Sequence, residues 1–333
     1  MKGVTVAVVG GGGRVGATFA YALMISGLVS RIVLVDVEAA RAEGEATDLS
    51  HGLPFVRPLE IRAGGYEDCA DADLIIVTAG AAQRPGESRF DLLQRNVDIF
   101  RAVIPASTRK NAKGILLVVS NPVDVLTYAA WKLSGWPAAR VIGSGTVLDS
   151  ARFRTLLGAH CRIDPRNVHA YVLGEHGDSE VPVWSRAQVG GLNLLEICPT
   201  CGPGGCPPEI RQSLATQTRR AAYEIIQRKG ATFYAIGLAV RTIVECIVRD
   251  QNSVLTVSTL AADYERIPPV FFSVPAVVNR GGVARLLPLA LSEEEWAGLA
   301  HSASVLRDLM TQVGLGELPG RATLPSVGAG RTC

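Results

Sequence analysis

The chain has 333 residues and a mass of 35.2 kDa, enough for about two domains and for burying about three quarters of the unfolded surface without disulfide or metal staples. An apolar content of 48% and a mean hydropathy of +0.24 exclude an intrinsically disordered chain. With 33 basic against 31 acidic residues the net charge is only +2, which argues against a nucleic-acid partner or an acidic solvating tail.

The N-terminus enters an apolar run at once and shows no leader pattern of an apolar stretch followed by a small-residue cleavage site. The longest uncharged stretch, Val15–Ser30, has 16 residues and falls short of the ~20 apolar residues a membrane span needs. No membrane partner is expected, and the cytoplasm is the default location. Short apolar runs at Val4–Val9, Ile32–Val35, Leu74–Thr78, Ile115–Val119 and Val141–Ile142 alternate with helical patterns at 14–26, 38–49, 90–109 and 123–133. Continuous rather than alternating apolar runs are what parallel strands covered on both faces require. The first half therefore predicts βαβ units and a doubly wound parallel sheet of Rossmann type.

After about residue 143 the rhythm changes, so the expected division is 1–143 and 144–333. A helix around 148–159 precedes strand patterns at 168–173 and 180–189, and then the turn-rich CPTCGPGGCPP at 198–208. Helical stretches over roughly 209–250, strand-like runs at 253–260 and 270–278, and a last helix over about 292–313 complete a C-terminal α+β substrate domain. The overall class is α/β. Of the cations, 28 are Arg and 5 Lys, a bias that genome composition can produce and that supports no functional reading.

Three segments carry chemistry. Directly after the first strand, Gly11, Gly13 and Gly16 satisfy G-x-G-x-x-G, the loop in which backbone must approach a pyrophosphate unhindered and a helix N-terminus offers free N–H groups. Asp36 ends the next strand 20 residues after Gly16, where a carboxylate accepts ribose hydroxyls and repels a 2′-phosphate, favouring NAD over NADP. Next, Gly174-Glu175-His176-Gly177-Asp178 places a histidine just past an apolar strand, suited to general acid/base work. Asp149 and Arg152 are three apart on the 148–159 helix, hence on one face. The Asp can orient His176, and the Arg fork can hold a substrate carboxylate. A structural hydrogen-bonding histidine is the plain alternative. Finally, Thr78–Arg89 follows a strand's carboxyl end and reads either as a mobile lid or as an ordinary βα connection.

Together these segments resemble the L-lactate/malate dehydrogenase superfamily, and within it the bacterial L-lactate dehydrogenases. The resemblance runs through the glycine loop, Asp36, TAGAAQRPGESR (78–89), VVSNPVDVLT (118–127), GSGTVLDSARFR (143–154), VLGEHGDSEVPVWS (172–185) and KGATFYAIG (229–237). It implies NADH-dependent reduction of pyruvate to (S)-lactate at the end of fermentative glycolysis by a homotetramer. It implies His176 as proton donor and acceptor, Asp149 as its partner and Arg152 as the carboxylate clamp. Arg89 on the closing loop would polarise the ketone, Asn121 would bond substrate and Thr232 would line the pocket. Val15, Thr78, Ala79, Gly80 and Asn121 would join Gly11, Gly13, Gly16 and Asp36 around the cofactor.

Gln83 stands where malate enzymes of the family carry Arg, and it leaves room for a methyl group. Glu87 adds negative charge that should repel a dicarboxylate, while the adjacent Arg84 would offer the missing cation only if the loop shifted register. Arg154 and His169 match the pair through which fructose 1,6-bisphosphate activates bacterial relatives at a subunit interface. Packing of Arg154 in its helix and a strand-capping His169 are the alternative. Two other readings stand beside this one: a malate or larger 2-hydroxy acid dehydrogenase, and an inactive nucleotide-binding relative.

Two features depart from the family pattern. Gly10 adds a residue at the strand-to-loop junction. Cys198, Cys201 and Cys206 sit in the 198–208 loop, where C-x-x-C plus a third Cys suggests zinc, but structural zinc usually wants four ligands in two pairs. A cysteine-bearing surface loop without metal is the expectation. The count of seven Cys, most of them single in apolar segments, points to reduced thiols.

Overall fold

The computed structural model of the chain describes residues 3–318 apart from 82–85, 87, 202–204, 263 and 317. In chain order the first half runs β1 (Thr5–Val9), α1 (Arg14–Ser26), β2 (Arg31–Val35), α2 (Ala39–His51), β3 (Glu60–Gly64), β4 (Leu74–Val77), α3 (Arg89–Thr108), β5 (Ile115–Val118), α4 (Val123–Ser134) and β6 (Val141–Gly143). The second half runs α5 (Val147–Cys161), β7 (Val168–His169), β8 (Val172–Leu173), β9 (Val181–Pro182), β10 (Gln188–Val189), β11 (Leu192–Asn193), α6 (Leu194–Ile197), α7 (Pro208–Lys229), α8 (Tyr234–Val248), β12 (Ser253–Ala261), β13 (Val270–Asn279), β14 (Gly282–Leu286) and α9 (Glu293–Gln312).

One sheet of the described residues has the order β14-β13-β12-β6-β5-β4-β1-β2-β3. From β6 to β3 its pairings are parallel, as the apolar runs require. Successive residues of β1 feed opposite faces: Val6 and Val8 enter one apolar core, Ala7 and Val9 the other. At ~1.5–3 kcal/mol per fully buried aliphatic side chain, these two layers are the main cohesive force of the first half. Helix boundaries follow local chemistry. Gly27 closes α1 in the left-handed region at φ 62°. Ser88 opens α3 by accepting the Asp91 N–H at 3.1 Å.

The structure departs from the sequence reading in three details. Strands β12, β13 and β14, two of them expected in the second domain, extend the parallel sheet antiparallel, joined to β6 through the single pair Ser258–Gly143. Strands β3 and β14 were not expected, because at the sheet edges their residues alternate charged and small side chains with few apolar ones. The expected strands at 168–173 and 180–189 are each broken into two-residue pieces, and the loop that carries His176 runs between β8 and β9. None of the helices searched among the described residues is long and apolar enough to cross a membrane.

Candidate active site

Strand order reverses at β1, which has β2 on one side and β4 on the other, and the crevice at such a switch point is where these sheets bind ligands. The glycine loop lies at its carboxyl edge. Gly10 and Gly11 both donate to Val35 O, at 2.8 and 3.1 Å, which turns the chain off β1. The additional Gly10 takes the turn itself, at φ +88°, with Ala79 N 2.5 Å from where a Cβ would be. A Cβ on Gly16 would fall 2.5 Å from Gly10 O and 2.9 Å from Thr78 Oγ1, so only glycine lets α1 begin this close to the loop.

Helix α1 starts with neither a side-chain cap nor an acidic residue in its first turn. Its first N–H groups and positive dipole end therefore remain available for phosphate oxygens. Asp36 accepts the Gly12 N–H at 3.0 Å through one oxygen and the Glu38 N–H at 3.1 Å through the other. Thr78 Oγ1 donates to Gly10 O at 3.0 Å and stitches the strand-end 78–80 segment to the glycine loop. A loop free of side chains, an uncapped helix and an adjoining carboxylate fit the pyrophosphate and ribose of a dinucleotide.

The acid/base cluster stands beside this crevice. Asp149, 2% exposed in the first turn of α5, uses both oxygens. Its Oδ1 accepts from Arg152 Nη1 at 2.7 Å and its Oδ2 meets His176 Nδ1 at 2.5 Å. The three-residue spacing on a helix brings the first contact, and the fold brings the second. The loop holding His176 is fastened from three sides. Gly174 exchanges backbone hydrogen bonds of 2.9 Å with Ser273 of β13. Ser302 of α9 accepts the Glu175 N–H at 2.7 Å, and Asp124 of α4 accepts the His176 N–H at 2.8 Å.

Electrostatics follow from this placement. Burial alone would lower the His176 pKa, but the adjacent Asp149 carboxylate prevails and raises it to about 9. The ring is nevertheless 23% exposed, so it is open to a ligand. Burial works against ionised Asp149 too, and His176 and Arg152 together hold its pKa below the usual carboxylate range. Burial pushes Asp124 up to about 7, and burial with the neighbouring Asp149 charge pushes Glu180 up to about 8.

A cavity of about 710 Å³ opens on this cluster, lined by Asn121, Asp149, Arg152, His176, Glu180 and Arg219 among others. A smaller one of about 130 Å³ shares Asn121, Arg152 and His176 and reaches Val15 and Thr232. The segments carrying Val15, Asn121, Arg152, His176 and Thr232 thus converge, although they are far apart in sequence. Gln83, Arg84 and Glu87 lie outside the described residues, and of Arg89 only the backbone, at the start of α3, is described. Arg154 donates to the carbonyls of Pro165 at 3.3 Å and Arg166 at 3.5 Å, while His169 is exposed on β7.

Sequence reasoning missed three contributors. Asn96, 1% exposed, accepts the Ala81 N–H at 2.7 Å and donates to Asn121 O at 3.0 Å, tying the 78–81 segment to the Asn121 turn. Asp124 interrupts an apolar helical run, a signal that could have marked it. Glu180 opens the strand expected over 180–189, but its burial depends on tertiary packing.

Comparison with known proteins places these observations. Residues 4–143 match the model of the lactate/malate dehydrogenase NAD-binding domain, and residues 146–314 match that of the lactate/malate dehydrogenase alpha/beta C-terminal domain. The chain is 50% identical over 303 residues to an L-lactate dehydrogenase of Thermoanaerobacter sp. (strain X514), covering 91% of this chain and 97% of that one. It is 51% identical over 303 residues to one of Thermoanaerobacterium saccharolyticum, with coverage of 91% and 97%. Among solved structures, minor L-lactate dehydrogenase from Enterococcus mundtii, in a ligands-bound form, superimposes with a TM-score of 0.89 at 40% identity, covering 94% of this chain and 99% of that one. A lactate dehydrogenase from a Medee basin deep-sea metagenome gives 0.89 at 44% identity with the same coverage.

Proposed function

The chain belongs to the lactate/malate dehydrogenase family, and from that membership and the site's geometry we propose that it reduces pyruvate reversibly to (S)-lactate. It is an oxidoreductase and its cofactor is NAD. The observation that carries the proposal is Asp149 holding His176 at 2.5 Å and Arg152 at 2.7 Å on one cavity wall.

Bound NADH supplies the hydride that reaches the keto carbon. The chain's own residues do the rest. Gly11, Gly13 and Gly16, with the α1 N-terminus, hold the pyrophosphate, and Asp36 takes the adenosine ribose. Val15, Thr78, Ala79, Gly80 and Asn121 complete the surroundings of the cofactor. Arg152 grips the carboxylate through its fork, and Asn121 and Thr232 bound the pocket. His176, with Nδ1 held by Asp149, gives its proton to the carbonyl oxygen from Nε2. Its raised pKa of about 9 keeps it charged at neutral pH, ready for ketone reduction. Closure of residues 80–92 brings Arg89 to the carbonyl oxygen and Gln83 to the methyl group, and the neutral Gln83 favours a monocarboxylate.

Activation by fructose 1,6-bisphosphate at Arg154 and His169, between copies of the chain, belongs to the same reading. So does a homotetramer. Tyr21 and Ile25 of α1 and Tyr234 and Leu238 of α8 are 53–67% exposed on two packed helices, an apolar face suited to a second copy. The six described cysteines, none of them joined in a disulfide, fit the reducing cytoplasm.

The test is NADH oxidation across a panel of 2-keto acids with and without the bisphosphate. Pyruvate should give the highest kcat/KM, and the bisphosphate should lower its half-saturation. Preference for oxaloacetate, or a flat trace with every acid, contradicts the proposal. Arg152→Lys keeps the charge but loses the planar fork. Loss of one charge-assisted hydrogen bond, about 1.5–3 kcal/mol, corresponds to a ~10- to 150-fold rise in KM for pyruvate. An unchanged KM would remove Arg152 from the carboxylate.

A further inference from the structure

Away from the cavity, the C-terminal end of α5 meets the cysteine-bearing loop 198–208. His160 Nε2 lies 3.1 Å from Cys201 Sγ. The ligand atoms of His160, Cys198 and Cys201 all fall within 4.8 Å of one another. Cys201 is also in hydrogen-bond reach of both Cys198 and Cys206. Cys198 and Cys206 are 4% and 8% exposed, so their sulfurs are withdrawn from water.

We infer that His160, Cys198, Cys201 and Cys206 form a structural zinc site. Tetrahedral zinc, with Zn–S near ~2.3 Å and Zn–N near ~2.0 Å, sets its donors about 3.5–3.8 Å apart, so His160, Cys198 and Cys201 need only small side-chain adjustments to close on an ion, and Cys206, beside Cys201, would turn in as the fourth donor. The sequence by itself offers C-x-x-C and one further cysteine, a donor short of a closed site. The fold supplies the fourth, because α5 ends where the loop returns. The Cys161 thiol already donates a hydrogen bond to Cys198 at 2.9 Å, and the Thr200 hydroxyl oxygen lies 3.1 Å from the same sulfur. A donor such as Cys161 stabilises a metal-bound thiolate. Thr200 also donates to the His160 carbonyl at 2.9 Å, fixing the loop to the helix end.

Four protein donors leave no open position, so the ion would hold structure rather than touch substrate. It would clamp the loop between α5, whose first turns carry Asp149 and Arg152, and α7, which lines the cavity with Arg219. Because a structural ion adds its binding free energy to folding, removing it should lower the melting temperature.

The experiment is metal analysis of tag-free protein purified without chelator and offered zinc, alongside thiol titration and intact mass under non-reducing conditions. About one zinc per chain is expected, released when thiols are modified, with a lower melting temperature after removal. Cys201→Ser and Cys206→Ser should lose the metal, while Cys161→Ser and Cys69→Ser keep it, and NADH binding should persist in each. Metal-free protein with all thiols titratable overturns the inference. So does a Cys161–Cys198 disulfide, or zinc kept by Cys206→Ser and lost by Cys161→Ser. None of these outcomes touches the reading of the cavity, which the keto-acid panel tests separately.

Discussion

Replacing His176 with alanine is expected to cut pyruvate turnover by about 10²- to 10⁴-fold while leaving NADH affinity nearly unchanged. A side chain that gives its proton to the developing alkoxide contributes to the reaction barrier but not to dinucleotide binding, which rests on the glycine loop. Rapid-mixing assays with a fluorescence titration of NADH separate the two effects. Loss of NADH binding in step with turnover would mean that the variant has damaged the fold. Wild-type turnover would assign the proton to another group. In the intact protein, kcat/KM for reduction should fall as pH rises through about 9, where His176 loses its proton, and lactate oxidation should gain over the same range.

Asp149→Asn is the second large effect, and it works through His176. In the native site the Asp149 carboxylate overcomes burial and lifts the histidine to about 9. With a neutral amide, burial prevails and the pKa should drop below the ordinary value of about 6.5. At neutral pH the histidine is then uncharged, and reduction should slow by about 10²–10⁴-fold. The pH limb of reduction should move to the acid side by more than two units, and part of the lost rate should return on acidification. A slow variant whose pH profile is unmoved would show that Asp149 acts only by packing. The same pair links stability to pH. The raised His176 pKa gives stability that is fully present below about 6.5 and lost as pH rises through about 9. The lowered Asp149 pKa gives stability present above its unfolded value near 3.8 and lost as pH falls through the folded value.

How much of this was legible beforehand depends on which forces act locally. The β1 run and the glycines announce themselves because strand burial and pyrophosphate approach both constrain neighbouring residues. Asp149 and Arg152 share a helix face by spacing alone. Their meeting with His176 was an inference from chemistry, since the contact depends on Gly174 pairing with Ser273 and on Asp124 taking the His176 N–H. Those anchors lie on strand β13 and helix α4, far along the chain in either direction. Edge strands β3 and β14 escaped notice because an edge buries little, so its sequence need not be apolar. The cysteines of the 198–208 loop are legible in the sequence, but their neighbour His160 is not: it precedes Cys198 by 38 residues, and only the end of α5 brings the two together.

The account's central claim is spatial and chemical at once: one small 2-keto monocarboxylate sits between the Arg152 fork and His176. A crystal structure with NADH and oxamate, an unreactive mimic of pyruvate, tests it most directly. The account predicts two Arg152 N–H groups on the oxamate carboxylate and His176 Nε2 at about 2.6–3.2 Å from its carbonyl oxygen, with Nδ1 still on Asp149. Oxamate bound with its carboxylate turned away from Arg152, or its carbonyl oxygen out of reach of His176, would contradict it.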